Sequence, residues 1–192
     1  HALEGQTYCE ICPSGWQISG DLGSRICLGC DPGKISTSGE NCTNCKPGSY
    51  ASLDNTECVR CVKGKFSSAV GANNVSVCQN CLAGFYSSAT GVSELSGCNK
   101  CSAGRFSAVP GASASAICEL CKAGTYQPLQ GKSTCHLCPE GYVSPQGSAS
   151  CIGVLPGSYM NASNVTEPCQ EGHMCQGKAS GHVPCLRANM LQ

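Results

Sequence analysis

An apolar or aromatic side chain recurs at one fixed place in each stretch of 15 to 20 residues, at Ile35, Tyr50, Phe66, Tyr86, Phe106, Tyr126, Val143, Tyr159 and Met174. An amphipathic helix needs apolar residues three and four apart over several turns. Helical periodicity is absent throughout. Each of these positions stands two residues after a glycine, and a serine follows at Ser36, Ser67, Ser87, Ser107 and Ser144. The first unit departs from this, with Gln17 in the apolar position and Trp16 beside it. A second glycine falls later in most units, at Gly39, Gly71, Gly91, Gly111, Gly131 and Gly147. Glycine tolerates the left-handed backbone of tight turns. The pattern predicts turn, short strand with one bulky side chain, glycine turn and return strand.

Cysteines frame every unit. Eight Cys-x-x-Cys pairs begin at Cys9, Cys27, Cys42, Cys58, Cys78, Cys98, Cys118 and Cys135, and Cys151 continues the series. The third residue after each pair is glycine, from Gly15 to Gly141, and Gly157 and Gly172 hold that place in two degenerate units. Such self-similarity marks a tandem repeat array. The units run 1–29, 30–44, 45–60, 61–80, 81–100, 101–120, 121–137, 138–153, 154–168 (lacking its first cysteine, with Val154 there) and 169–192, an incomplete variant. A unit with one bulky side chain cannot fold on its core alone. A disulfide closing about 15 residues removes roughly 3 kcal/mol of unfolded-state entropy, and contacts with the adjoining unit supply the remainder. The expected fold is small and disulfide-rich, with short β-hairpins forming an elongated solenoid or rod with nearest-neighbour contacts.

Composition narrows the class. Twenty cysteines in 192 residues is the level of a secreted disulfide scaffold. Leu, Ile, Val and Phe together number only 32, too few for one large core. Twelve basic and twelve acidic residues give no net charge, which argues against nucleic acid or an anionic membrane surface as partner. No apolar run approaches a membrane span, and no basic-then-apolar leader precedes the repeats, so the segment is expected to be mature or an excerpt. Asn-x-Ser/Thr sequons at Asn41, Asn74, Asn161 and Asn164 are candidate N-glycosylation sites and fit a secretory route.

Cys-x-x-Cys pairs of this spacing also suit tetrahedral zinc. Zinc modules, however, alternate site loops with linkers, whereas the glycine and bulky residue occupy all seven gaps alike. Redox-active pairs would belong to a βαβ pattern that is missing. With cysteines oxidised, closing each gap on itself pairs Cys12–Cys27, Cys30–Cys42, Cys45–Cys58, Cys61–Cys78, Cys81–Cys98, Cys101–Cys118, Cys121–Cys135 and Cys138–Cys151, with Cys169–Cys175 as a local bridge. Crossed pairing between adjacent pairs is the alternative. Cys9 and Cys185 would then find partners outside this segment.

The pattern Cys-x-x-Gly-x-Tyr/Phe-Ser followed by Cys-x-x-Cys, as in Cys45-Lys-Pro-Gly48-Ser-Tyr50 through Cys58-Val-Arg-Cys61, resembles the ephrin-receptor-like cysteine-rich repeat. That family is related to EGF-like modules and to the first half of a tumour-necrosis-factor-receptor module. The resemblance spans about residues 9–185. It implies an extracellular or cell-surface setting reached by the secretory pathway, in receptor ectodomains, secreted multidomain proteins or long arrays on large surface proteins. Val154 and the Cys169–Cys185 region depart from the pattern.

Catalytic chemistry finds no constellation. His136, His173 and His182 lie outside any hydrolase or zinc motif, and Asp21, Asp31 and Asp54 are isolated. No Asp-x-Asp/Asn cluster offers calcium ligands. The sequence therefore predicts no enzyme, cofactor or metal. The aromatic ladder reads as one miniature core per unit before it reads as a carbohydrate platform. Expected partners are other copies or chains of an extracellular assembly, or further repeats of the same polypeptide, with possible glycans. Two roles compete: a spacer, filament subunit or surface coat, such as a flagellar-hair or cell-wall fibre, and a receptor or adhesion ectodomain binding a protein. A binder should carry non-repeating Trp, Tyr or Arg hot spots. Trp16 is the off-ladder tryptophan, and only four arginines occur, Arg25, Arg60, Arg105 and Arg187.

Overall fold

The turn after each cysteine pair sets the local structure. In Lys46-Pro47-Gly48-Ser49 the Ser49 amide donates to the Lys46 carbonyl at 3.2 Å. Gly48 sits at φ +84°, as the third residue of a type II turn requires, and Pro47 pre-sets the second. The chain leaves this turn as the strand Ser49–Ala51, which pairs antiparallel with Cys58–Arg60, Tyr50 opposite Val59. The Cys45–Cys58 disulfide closes the hairpin, with Cα atoms 5.6 Å apart. This is the repeating element of the computed structural model, which describes residues 11–20, 26–161, 166–171, 173–175 and 183–184. Among them the chain forms ten two-stranded sheets and three short 3-10 turns. The fold is disulfide-rich, nearly helix-free and built of successive short hairpins.

The chain divides into two compact units. The first comprises His1–Asn99 with Pro110–Ser115, and the second comprises Lys100–Val109 with Ala116–Gln192. Hairpins of the first unit pair Trp16–Ser19 with Ile26–Gly29, Lys34–Ile35 with Thr43–Asn44, Ser49–Ala51 with Cys58–Arg60, and Lys65–Phe66 with Gln79–Asn80. The second unit pairs Arg105–Phe106 with Glu119–Leu120, Thr125–Tyr126 with His136–Leu137, Tyr142–Val143 with Ile152–Gly153, and Ser158–Met160 with Thr166–Pro168. His173–Met174 pairs with Val183–Pro184.

Backbone hydrogen bonds tie each hairpin to the next. In the first unit the Gly48 amide donates to the Ser67 carbonyl at 2.7 Å, and Ala51 to Ala72 at 2.8 Å. The Gly71 amide returns to the Cys45 carbonyl at 2.8 Å, and Gly91 to Cys61 at 2.8 Å. The second unit repeats the scheme, Gly104 to Gln127 at 2.8 Å and Gly147 to Cys121 at 2.8 Å. These bonds satisfy the edge groups that an isolated two-stranded hairpin would leave open.

Contact does not stop at the adjacent hairpin, as the repeat pattern alone would suggest. A Cβ placed on Gly48 would overlap the carbonyl oxygen of Gly91, two repeats on. Gly33 stands in the same relation to Gly71, Gly64 to Gly111, and Gly104 to Gly147. The loop glycine of one repeat thus reaches past its neighbour to the turn glycine two repeats earlier.

The interior differs from one ring per unit. Tyr50, Phe66, Tyr86, Phe106 and Tyr126 are half-buried. The fully covered residues are the second cysteines and the serine position. In the first unit these are Cys45, Cys61, Cys81, Ser67 and Ser87; in the second, Cys101, Cys121, Ser107, Gln127 and Ser144. Most of the interior is taken by small side chains, such as Ala51, Ala72 and Ala112, with Gln127 and Val143 the larger exceptions, and the rings stay half-buried. Buried polar atoms are paired: Gln127 Nε2 donates to the Thr134 carbonyl at 2.7 Å, and its Oε1 accepts from the Leu129 amide at 3.1 Å. Ser144 Oγ donates to the Thr125 carbonyl at 2.9 Å.

Candidate functional site

Among the described residues the cysteines form nine disulfides, each within one loop. The partners are Cys12–Cys27, Cys30–Cys42, Cys45–Cys58, Cys61–Cys78, Cys81–Cys98, Cys101–Cys118, Cys121–Cys135, Cys138–Cys151 and Cys169–Cys175. The uncrossed arrangement follows from the hairpins. From Cys12 to Cys151 each register sets a cysteine of the return strand, or one beside it, next to the cysteine that opens the turn, whereas Cys169 is bridged to Cys175 directly after the first strand, His173–Met174. Cys9 and Cys185 lie outside the described residues.

Titratable groups stay dispersed. The Tyr126 ring faces the His136 ring with centroids 5.9 Å apart, and His173 Nδ1 lies 3.3 Å from the Glu171 carbonyl. No group of three metal-ligating side chains occurs among the described residues. The Lys34 ammonium, 2.8 Å from Asp31, lowers that carboxyl below its ordinary value by hydrogen bond and charge. Hydroxyls of Ser52 and Thr56 do the same for Asp54. Tyr159 donates to Glu167 Oε2 at 2.5 Å, and that carboxylate raises the phenol. His182 and Asp21 fall outside the described residues.

The sequons differ in setting. Asn41 is exposed just before the strand Thr43–Asn44. Asn74 is exposed and caps the 3-10 turn Val75–Val77, its Oδ1 accepting from the Ser76 amide at 2.8 Å. Asn161 is half-buried, with Nδ2 donating to Glu167 Oε1 at 2.7 Å. Asn164 lies outside the described residues.

The first unit also holds a surface cavity of about 390 Å³. Its lining includes Thr43 and Asn44 from one hairpin, Lys46 and Ser49 from the next turn, and Cys58 and Arg60 from the return strand. Two cations border it and no carboxylate does. Register places Arg60 opposite Ser49. The arginine stem passes over Gly91: a Cβ there would sit 3.2 Å from Arg60 Cδ and 3.3 Å from Cγ. Asn44 Oδ1 lies over Gly71 in the same way. The arginine inventory contained Arg60, but only the fold joins it to Asn44 and Lys46. The available signal was their placement immediately before or after the second cysteine of successive pairs.

Comparison with protein families fits this geometry to a known repeat. Residues 112–151 match the family model described as tyrosine-protein kinase ephrin type A/B receptor-like. This stretch is an ephrin-receptor-like repeat. It takes in Cys118, Cys121, Cys135, Cys138 and Cys151, two closed loops and the link between them. Among curated proteins, none matches the chain. The family and the tandem disulfides are of a non-enzymatic, extracellular or secreted kind. Among the described residues no helix is long and apolar enough to cross a membrane.

Proposed function

We propose that this segment is a spacer of a larger extracellular protein, a filament or coat component that keeps its length under load. One observation carries the reading: from Cys12 to Cys151 each disulfide closes its own loop, and the next cysteine follows after two residues. Tension applied at the ends runs through sulfur and the Cys-x-x-Cys links and bypasses the loops. From the bridge Cα separations and extended-chain geometry, that path reaches roughly 120 Å at full stretch, against roughly 490 Å for the reduced chain. The repetition of one turn, one bulky residue and one buried serine supports the same reading.

Single-molecule pulling with handles attached just outside Cys12 and Cys151 tests it. The oxidised segment should stop lengthening near the shorter limit, and reducing agent should release the remainder stepwise. An oxidised segment that opens to several times the shorter limit would remove the physical basis of the role.

A further inference from the structure

We propose that the cavity beside Asn44, Lys46 and Arg60 binds an anionic saccharide through a sulfate or carboxylate on the sugar. This goes beyond the spacer reading and stands apart from it. The volume, about 390 Å³, lies in the range of small-ligand sites. Lys46 and Arg60 border it without a facing carboxylate, and the one ion pair among the described residues is Lys34–Asp31. Arginine presents a planar fork that takes two oxygens of a sulfate or carboxylate at once.

Preorganisation strengthens the case. Gly91 has no side chain, and the Arg60 stem lies in the space a Cβ would crowd. Gly71 seats the Asn44 carboxamide in the same manner. Two of the polar groups are thus held by backbone from hairpins two repeats further on, which reduces the ordering that a ligand must impose. Thr43 and Asn44 add a hydroxyl and an amide of the kind that meet sugar hydroxyls.

The constellation occurs once. Equivalent positions one repeat on are Arg60, Val62 and Asn80, and in the second unit Leu120, Lys122 and Leu137, each with a single cation. The chain is neutral overall, so the positive character is local. Two cations suit one anionic group with sugar around it. A polyphosphate strand draws its affinity from many such contacts.

The test is titration of the oxidised chain, at low ionic strength, with a sulfated uronate disaccharide, its neutral counterpart and inorganic sulfate. Binding should be seen for the sulfated sugar and weaken roughly fivefold or more in Arg60→Ala and in Lys46→Ala. Arg60→Lys should retain part of it. Lys63→Ala, which removes a cation outside the lining, should leave it unchanged. Both lining residues are exposed, and unchanged disulfide mass and amide spectra would show each variant folded. Absence of binding, equal binding of the neutral sugar, equal loss in Lys63→Ala, or sulfate alone binding as tightly as the disaccharide would each overturn the proposal.

Discussion

Gly48 lies directly beneath the carbonyl of Gly91, two hairpins further along the chain. Its φ of +84° would strain an L side chain in any setting, but here the space is also taken. Gly141 has nearly the same φ, +81°, with nothing near the place of a Cβ. The two glycines separate conformation from packing.

Gly141→Ala should therefore destabilise its hairpin by about 1–2 kcal/mol, the strain of a left-handed backbone. Gly48→Ala should cost more and disturb 81–100 as well as 45–60. Hydrogen exchange by mass spectrometry resolves this. Equal effects of the two substitutions, confined to the mutated repeat, would show that the second-neighbour contact has no energetic weight.

Cysteine oxidation is measurable in denaturant. Intact mass should show two hydrogens missing per bridge and no bound zinc, and peptide mapping should recover Cys45–Cys58 and Cys61–Cys78. Recovery of Cys45–Cys61 would establish crossed pairing.

Gln127 replaces the buried serine in one repeat and bridges Thr134 and Leu129. Gln127→Ala removes a buried side chain together with its hydrogen bonds to the Thr134 carbonyl and the Leu129 amide, so a loss of about 1–3 kcal/mol is expected. Denaturant-dependent exchange of amides 121–137 would report it, and an unchanged protection pattern would mean that water replaces the side chain.

Acid should weaken the turn at Asp31. Its carboxyl is held below the ordinary value by Lys34, so its contribution is present above the unfolded carboxylate range and is lost as pH falls through the folded value. NMR titration should place the Asp31 midpoint low, and Lys34→Ala should return it upward. The exposed site makes the effect on global stability small.

Expression in a glycosylating host should add sugar at Asn41 and Asn74. Both are exposed, and a glycan on Asn74 Nδ2 leaves Oδ1 free to keep its bond to the Ser76 amide. Mass loss on Asn74→Gln checks the assignment, and an unchanged mass refutes it.

Much of the local structure was legible because it is enforced locally. A glycine three residues after Cys45 can be read as a left-handed turn, and Tyr50 two residues later as strand. What escaped was the relation across repeats. Nothing in the spacing says that Gly33 faces Gly71, or that the tyrosine stays half-buried while Ser67 goes inside. Those facts come from the contacts between hairpins. The cavity escaped for the same reason. Asn44 and Arg60 are 16 positions apart, and only the stacking of hairpins turns them toward one space.

The loop-by-loop disulfides also bear on survival outside the cell. A protease that cuts anywhere between Cys61 and Cys78, or inside any other bridged loop, leaves both fragments attached through sulfur. Between Cys12 and Cys151 only the short Cys-x-x-Cys links lack such a second connection, and the closing cysteine of the link is buried from Cys30 through Cys121. Exposed loop tips are where proteases nick. In this chain those are the places where a nick does not sever the molecule.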